Sequence, residues 1–464
     1  MNQPIEHGTS ENIQKAALFM VLLNGFTTPL MLSAANVALP EIARDLNIHA
    51  VMLSWIPMAY LMASAMFVLV FGRLADMYGR KRIFILGTSS VIVTSLLAAA
   101  APNGELLITA RFLQGVSAAM LYATQIAIVS SVFPPQQRGH AIGLTVSMIY
   151  LGLTFGPAAG GYLIEFSGWR ASFIFHIPLA IIVLLMAIFK VKGEWQSDQP
   201  GKFDTRGSVI YAFTILSLCI GVAGLPETYA IVILVAGTAG MFLFFYYARR
   251  TTDPIFDVRL FFTNRTFTRS SIASLIIYTA TFANVVLIGL YLQYLQDMGP
   301  ARAGLFMMIQ PLTMAIFSPF VGRLSDRIEP RVIATIGMLL TAIGLAMLAM
   351  LNGIDTLPYL AAALVITGLG FSLFSSPNAN AIMSAVEKRY YGSASGSIAT
   401  MRVLGQMSSM MLVAMVFALF IGQVEIVPEN FDSLEQSIRL CFCIAALLCL
   451  PGLYFSMARG RIHS

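Results

Sequence analysis

The stretch GRLADMYGRKR, residues 72–82, recurs as GRLSDRIEPR at residues 322–331, so that Gly72, Leu74 and Asp76 return as Gly322, Leu324 and Asp326 after 250 residues. Each copy ends one apolar run and opens the next. A duplicated polar hinge between apolar segments is the plan of a secondary transporter made of two related halves, with its substrate site between them near the membrane midplane.

The rest of the chain agrees with that reading. It has 464 residues, 58% hydrophobic and only 11% charged, with a mean hydropathy of +0.79. A chain so poor in charge does not fold as an ordinary soluble domain. Charged and Gly/Pro-rich segments divide it into fourteen apolar runs near 17–40, 51–71, 83–101, 105–133, 141–164, 171–190, 208–224, 229–247, 270–295, 303–322, 332–351, 357–386, 396–421 and 438–457. Each suffices to cross a hydrocarbon core of about 30 Å as a helix. The expected fold is therefore an all-α polytopic membrane protein. The repeat places a six-helix bundle at 1–190, a linker with two inserted membrane helices at 191–269, and a second six-helix bundle at 270–464. The longest connections, 191–207 and 248–269, are short, which favours transport through the membrane over catalysis beside it. The first run is too long for a signal-peptide core and is expected to be kept as a span.

The formal charge of +6 has a membrane explanation. With the N-terminus in the cytoplasm, 22 of the 28 Lys and Arg fall on the cytoplasmic side and four (Arg44, Arg170, Arg302, Arg439) on the other, leaving Arg111 and Arg402 inside spans. The positive-inside rule then sets both termini in the cytoplasm and supports the span count, because one missed helix would scramble the alternation. The expected location is the cytoplasmic (inner) membrane, and no nucleic-acid partner is needed to explain the basic balance. Cys219, Cys441, Cys443 and Cys449 all lie in apolar runs, so neither a disulfide framework nor a metal site is expected, and no cofactor. No HExxH, GxSxG or nucleotide loop argues for an enzyme.

With these motifs in order, the chain resembles the major facilitator superfamily, in its fourteen-span branch of drug-proton antiporters. GRLADMYGRKR is similar to the family's signature between spans 2 and 3. LITARFLQG, with Arg111, Gln114 and Gly115, is similar to its span-4 motif. GLTFGPAAGG, with Gly152, Gly156, Pro157, Gly160 and Gly161, is similar to its span-5 antiporter motif. SWIPMAY, GWRASFIFHIP and the segment around Asp257, Leu260, Phe261 and Phe267 fit as well. The resemblance implies a major-facilitator-type fold, export of small molecules against protons, and a role for the 72–82 cluster in latching the halves in the outward-open state. Two positions depart from the branch. Where relatives carry an acid shortly before an Asn-Val-Ala-Leu-Pro ending, this chain keeps NVALP at Asn36–Pro40 but has Met31; and His176 stands where an Asn is usual between Phe173 and Pro178.

Helical geometry picks out the candidate pathway. At about 100° per residue, Gln114, Ala118, Tyr122 and Gln125 fall within about 80° of Arg111 on the fourth run. Such a stripe is costly against lipid and is expected to line a central cavity, with an interhelical structural bond as the alternative. Asn24, Thr28 and Met31 share one side of the first run. Glu165 or His176 is the candidate proton carrier, because none of the 22 acids sits at mid-span; surface and packing roles are the alternatives. Asn284 and Gln310, with Gln293, Asn378 and Asn380, are the polar candidates in the second half, since buried amides seek partners.

For conformational gating the candidates are Gly72, Asp76, Gly79, Arg80, Gly152, Gly156, Pro157, Gly160 and Arg402. Gly72 and Gly79 are expected to permit a tight reversal, with Asp76 held by Arg73 or Arg80. Gly152, Gly156 and Gly160 form a smooth helix face beside Pro157. Arg402 either gates or snorkels to the interface. The expected cargo is an amphipathic small molecule, with protons as counter-substrate and a monomer as the working unit. A dedicated exporter of one metabolite or siderophore, and a transport-like sensor, remain as other readings.

Overall fold

The computed structural model describes residues 11–196, 202–256, 258–325, 328–351, 357–386 and 391–460. Asp257 and Asp326, named in the motifs above, lie outside the described residues, as does the side chain of Leu260. Among the described residues, fourteen helices are long and apolar enough to cross a membrane: spans 1 to 6 at Glu11–Val37, Ala50–Tyr78, Arg80–Ala99, Gly104–Val132, Ala141–Ser167 and Ala171–Lys190; spans 7 and 8 at Thr205–Ala223 and Thr228–Arg250; and spans 9 to 14 at Arg265–Leu295, Pro300–Ser325, Pro330–Ala349, Leu357–Ser384, Gly396–Phe420 and Pro428–Met457. Every apolar run of the sequence is one of these helices. Span 14 starts ten residues before its apolar run, because Asp432, Glu435 and Gln436 form a polar first two turns that need not enter hydrocarbon.

The packing repeats as the sequence does. Span 1 packs on span 5, and spans 2 and 3 on span 4; equivalently, span 9 packs on span 13, and spans 10 and 11 on span 12. Across the middle, span 2 meets span 13 and span 5 meets span 10, which are the same pair seen from either half. Spans 7 and 8 pair with each other, and span 7 also touches spans 2 and 13.

Local chemistry sets the helix ends. Asn103, Asp204 and Asn264 cap spans 4, 7 and 9 by accepting the backbone N–H of Leu106, Gly207 and Phe267 at 2.8–2.9 Å. Span 6 is broken at Phe175–His176, just before Pro178, which has no N–H to continue the ladder. Span 9 breaks at Phe282–Ala283, where Ser409 Oγ of span 13 accepts the Ala283 N–H at 3.0 Å. Periodicity sees neither break, because both halves of each span are apolar.

Candidate substrate pathway

The polar face of span 4 does two different jobs along its length. At Arg111 and Gln114 it is sealed inside the first half. Arg111 is 0% exposed; its Nε donates to Ile56 O at 3.3 Å, Nη1 donates to Gln114 Oε1, and Nη2 has no partner. Its guanidinium lies 4.5 Å from the centre of the Tyr60 ring and 5.8 Å from that of Phe173. Gln114 Nε2 donates to Ser95 Oγ at 2.8 Å and to Met31 Sδ at 3.2 Å. Ser95 Oγ in turn sits 3.2 Å from His176 Nε2, while His176 Nδ1 is unpartnered. Spans 1, 2, 3, 4 and 6 thus meet in one buried chain, Arg111–Gln114–Ser95–His176. Met31 touches this chain through sulfur.

Two turns further on, the same face reaches the second half. Tyr122 Oη is 3.1 Å from Tyr60 Oη, and the Arg402 guanidinium of span 13 lies 5.6 Å from the Tyr122 ring centre. Arg402 therefore points inward rather than toward the interface. Gln125 Oε1 accepts from Asn24 Nδ2 at 3.2 Å, leaving Gln125 Nε2 unpartnered. The Arg111 guanidinium, expected on the cavity wall, is instead screened by Tyr60, and Tyr122 carries the stripe to the seam. In the second half, Asn284 Nδ2 donates to Gln310 Oε1 at 3.3 Å, with Asn284 Oδ1 unpartnered. Tyr150 Oη, 3.1 Å from Ser375 Oγ, adds a second mid-membrane bridge between the halves.

On the face opposite the 72–82 hinge the halves touch through backbone. A Cβ on Gly161 would overlap the Pro300 carbonyl oxygen, and one on Gly304 that of Pro157. Glu165 Oε2 accepts the Ala301 N–H at 3.3 Å. Gln293 Nε2 donates to Val37 O at 3.0 Å, Tyr294 Oη to Pro40 O at 3.3 Å, and the Ala50 N–H to Val424 O at 3.0 Å. Asn36 is buried nearby, its carbonyl facing Gly289 of span 9. The regular glycines of span 5 serve another neighbour. Gly152, Gly156 and Gly160 lie against Phe26, Ser33 and Ala34 of span 1, within the first half. Gly304, which belongs to no motif noted in the sequence, completes the contact between halves.

The hinge itself is shorter than expected. Span 2 runs on through GRLADMY to Tyr78, so Gly72 is a helical residue with open space around it, and the reversal falls on Gly79 alone, at φ +111°. Gly72 therefore plays no part in the turn. Asp76 pairs with Arg80 at 2.7 Å, and Arg80 reaches Ser131 and Ala127 O at the end of span 4. Glu194 accepts the N–H groups of Lys81 and Arg82, and Arg73 donates to Lys202 O. Among the described residues the cluster ties span 2 to span 4 and to the 191–207 and 248–269 connections, not to the second half.

Several residues of consequence carried no sequence signal. Arg459, counted only as one of the basic residues, is 1% exposed; it donates to Asn378 Oδ1 at 2.6 Å and to Pro330 O at 3.1 Å. Burial holds its guanidinium below the usual arginine range, at about 10. Asn378 also donates to Ser270 O, so it braces the bundle. Between spans 1 and 2, Asp45 accepts from Trp169 Nε1 and Arg170 Nη1, each at 2.8 Å; the indole first and the guanidinium second hold its carboxyl below the ordinary range. Cys219, Cys441 and Cys449 are buried, but Cys443 is exposed. Among the described residues, no group of three His, Cys, Asp or Glu is placed to hold a metal ion.

The Major Facilitator Superfamily model matches residues 21–410. The chain belongs to the Major Facilitator Superfamily. It is 31% identical over 449 residues to riboflavin transporter RibZ of Clostridioides difficile, covering 95% of this chain and 96% of that protein. It is 30% identical over 400 residues to multidrug resistance protein Stp of Mycobacterium tuberculosis, covering 84% of this chain and 72% of the relative. Among solved structures, peptide transporter POT in complex with alafosfalin superposes with a TM-score of 0.70 at 14% identity, covering 96% of this chain and 95% of that one. That likeness is one of fold. The chain is an integral, multi-pass membrane transporter of this superfamily with fourteen spans.

Proposed function

We propose that the chain exports amphipathic small molecules by alternating access, in exchange for protons, as a monomer in the cytoplasmic membrane with both termini inside. The observation that carries this reading is the seam opposite the hinge. Backbone lies on backbone at Gly161–Pro300 and Pro157–Gly304, with one carboxylate, Glu165, bridging the two helices. A contact made by small residues and few side-chain bonds is close enough to exclude cargo and cheap enough to break. It is built from the stretch that resembles the antiporter motif, and multidrug resistance protein Stp is among the 30% relatives.

Glu165 and His176 are the proposed proton carriers. Protonation of Glu165 turns an acceptor of the Ala301 N–H into a weaker one and loosens the seam. His176 ends the buried chain from Arg111 with its Nδ1 free. The test is export in everted vesicles: Glu165→Gln together with His176→Asn flattens the pH dependence of transport, and an unchanged profile removes both from the role. A second reading, a carrier dedicated to one metabolite, is favoured by the 31% identity to riboflavin transporter RibZ. Proteoliposomes offered riboflavin and a panel of toxic amphiphiles separate the two, since a dedicated carrier ignores the panel.

A further inference from the structure

We infer that the cargo is an anionic amphiphile, an apolar body bearing a carboxylate or sulfonate, recognised at the seam by Arg402 with Arg111 behind it. The inference rests on the export reading above and assigns its substrate class.

Two arginines, Arg111 and Arg402, meet at one pair of tyrosines, and among the described residues no acid stands there. Arg111 comes from the first half and Arg402 from the second, and they flank one pair of tyrosines, Tyr60 and Tyr122, whose hydroxyls are 3.1 Å apart. Neither guanidinium has a carboxylate partner among the described residues. An arginine does not neutralise itself by losing its proton. Two cations with no carboxylate beside them, Arg402 at the seam and Arg111 sealed behind Tyr60, call for a counter-charge. Among the described residues the protein does not supply one there, and Met31, which span 1 presents to Gln114, is uncharged. An entering anion gains from both charges, whereas an entering cation is repelled by both.

The surroundings fit a headgroup with an apolar tail. Tyr122 Oη adds a hydroxyl on the first half. On the second half, Gly405, one turn from Arg402 on span 13, packs on Tyr278, whose ring lies edge-on to Phe371 at 5.4 Å. Tyr278 also borders a cavity of about 30 Å³, room for a water rather than for cargo, lined by Ser274, Phe374 and Ser375. Arg402, partly exposed, is the group an anion meets; Arg111, sealed behind Tyr60, sets the potential.

The test uses purified full-length protein in detergent and in proteoliposomes, with three probes sharing one fluorophore: dansylglycine (anion), dansylamide (neutral) and dansylcadaverine (cation). Dansylglycine is expected to bind at least about tenfold more tightly than dansylcadaverine, the scale of one charge-assisted hydrogen bond, and to be the probe exported. Arg402→Gln abolishes the preference and Arg402→Lys keeps most of it. The wild-type ranking tests the inference even where a variant fails to fold. Dansylcadaverine or dansylamide exported in preference to dansylglycine overturns the inference and leaves the export reading standing; so does an anion preference untouched in folded Arg402→Gln. No export of any of the three overturns both.

Discussion

Adding one methyl group at Gly304 tests whether the seam opposite the hinge is the moving contact. A Cβ there would overlap the Pro157 carbonyl oxygen and come 2.9 Å from its carbon, with Ala158 Cα at 3.4 Å. Both neighbours are backbone, so no side chain can swing aside, and spans 5 and 10 have to part by about 1 Å, enough to forfeit much of their dispersion contact. Overpacking of this kind costs about 1–3 kcal/mol. If the cost falls on this state alone, the ratio of seam-closed to seam-open molecules drops about 5- to 150-fold. Spin labels at exposed Phe166 and Arg302, in a background free of the four native cysteines, report the separation across this face by pulsed electron resonance. Gly304→Ala is expected to move weight to longer distances and to lower transport. Gly143→Ala, which adds a Cβ with nothing within 4 Å, leaves the distribution unchanged. A folded Gly304→Ala with the wild-type distribution would refute the assignment of the seam.

Other outcomes follow from the same contacts. Arg459→Met leaves the buried Asn378 Oδ1 and Pro330 O without their donor, and should cost about 1.5–3 kcal/mol per charged hydrogen bond lost, read as a fall in detergent melting temperature with little change in KM. Asp45→Asn removes a carboxylate whose folded pKa is depressed by Trp169 and Arg170. Its stabilisation is present above the unfolded value of about 3.9 and is lost as pH falls through the lower folded value. The melting-temperature gap between wild type and Asp45→Asn at pH 7 therefore closes on acidification below about pH 4, and a gap constant with pH would contradict the pairing. Gln293→Leu deletes the 3.0 Å bond to Val37 O and should shift the Phe166–Arg302 distances the same way as Gly304→Ala, by a smaller amount.

What could be read in advance was what depends on spacing and composition. Apolar length between charged and Gly/Pro-rich segments located all fourteen helices, and the 72/322 repeat anticipated the equivalent packing of spans 1 to 5 and 9 to 13. The bonds of the site depend instead on distances between segments far apart in the chain. Helical angles put Arg111, Gln114, Tyr122 and Gln125 on one face, but only the approach of spans 2 and 13 decides that Tyr60 screens Arg111 and that Tyr122 meets Arg402. Gly72 looked like a turn residue because it stands in a polar stretch; the helix continues through it because Leu74, Ala75 and Met77 keep the ladder until Gly79 takes a positive φ. Gly304 and Ser95 had no motif, since a lone small residue in an apolar run becomes informative only when its neighbour is known.

The most direct test of alternating access through this seam is the reactivity of a single cysteine at position 122, in a background free of the native four, toward a membrane-impermeant thiol reagent applied from each side in turn. The account predicts labelling from both sides, slowed by cargo. Labelling from one side only under every substrate and pH condition would contradict it.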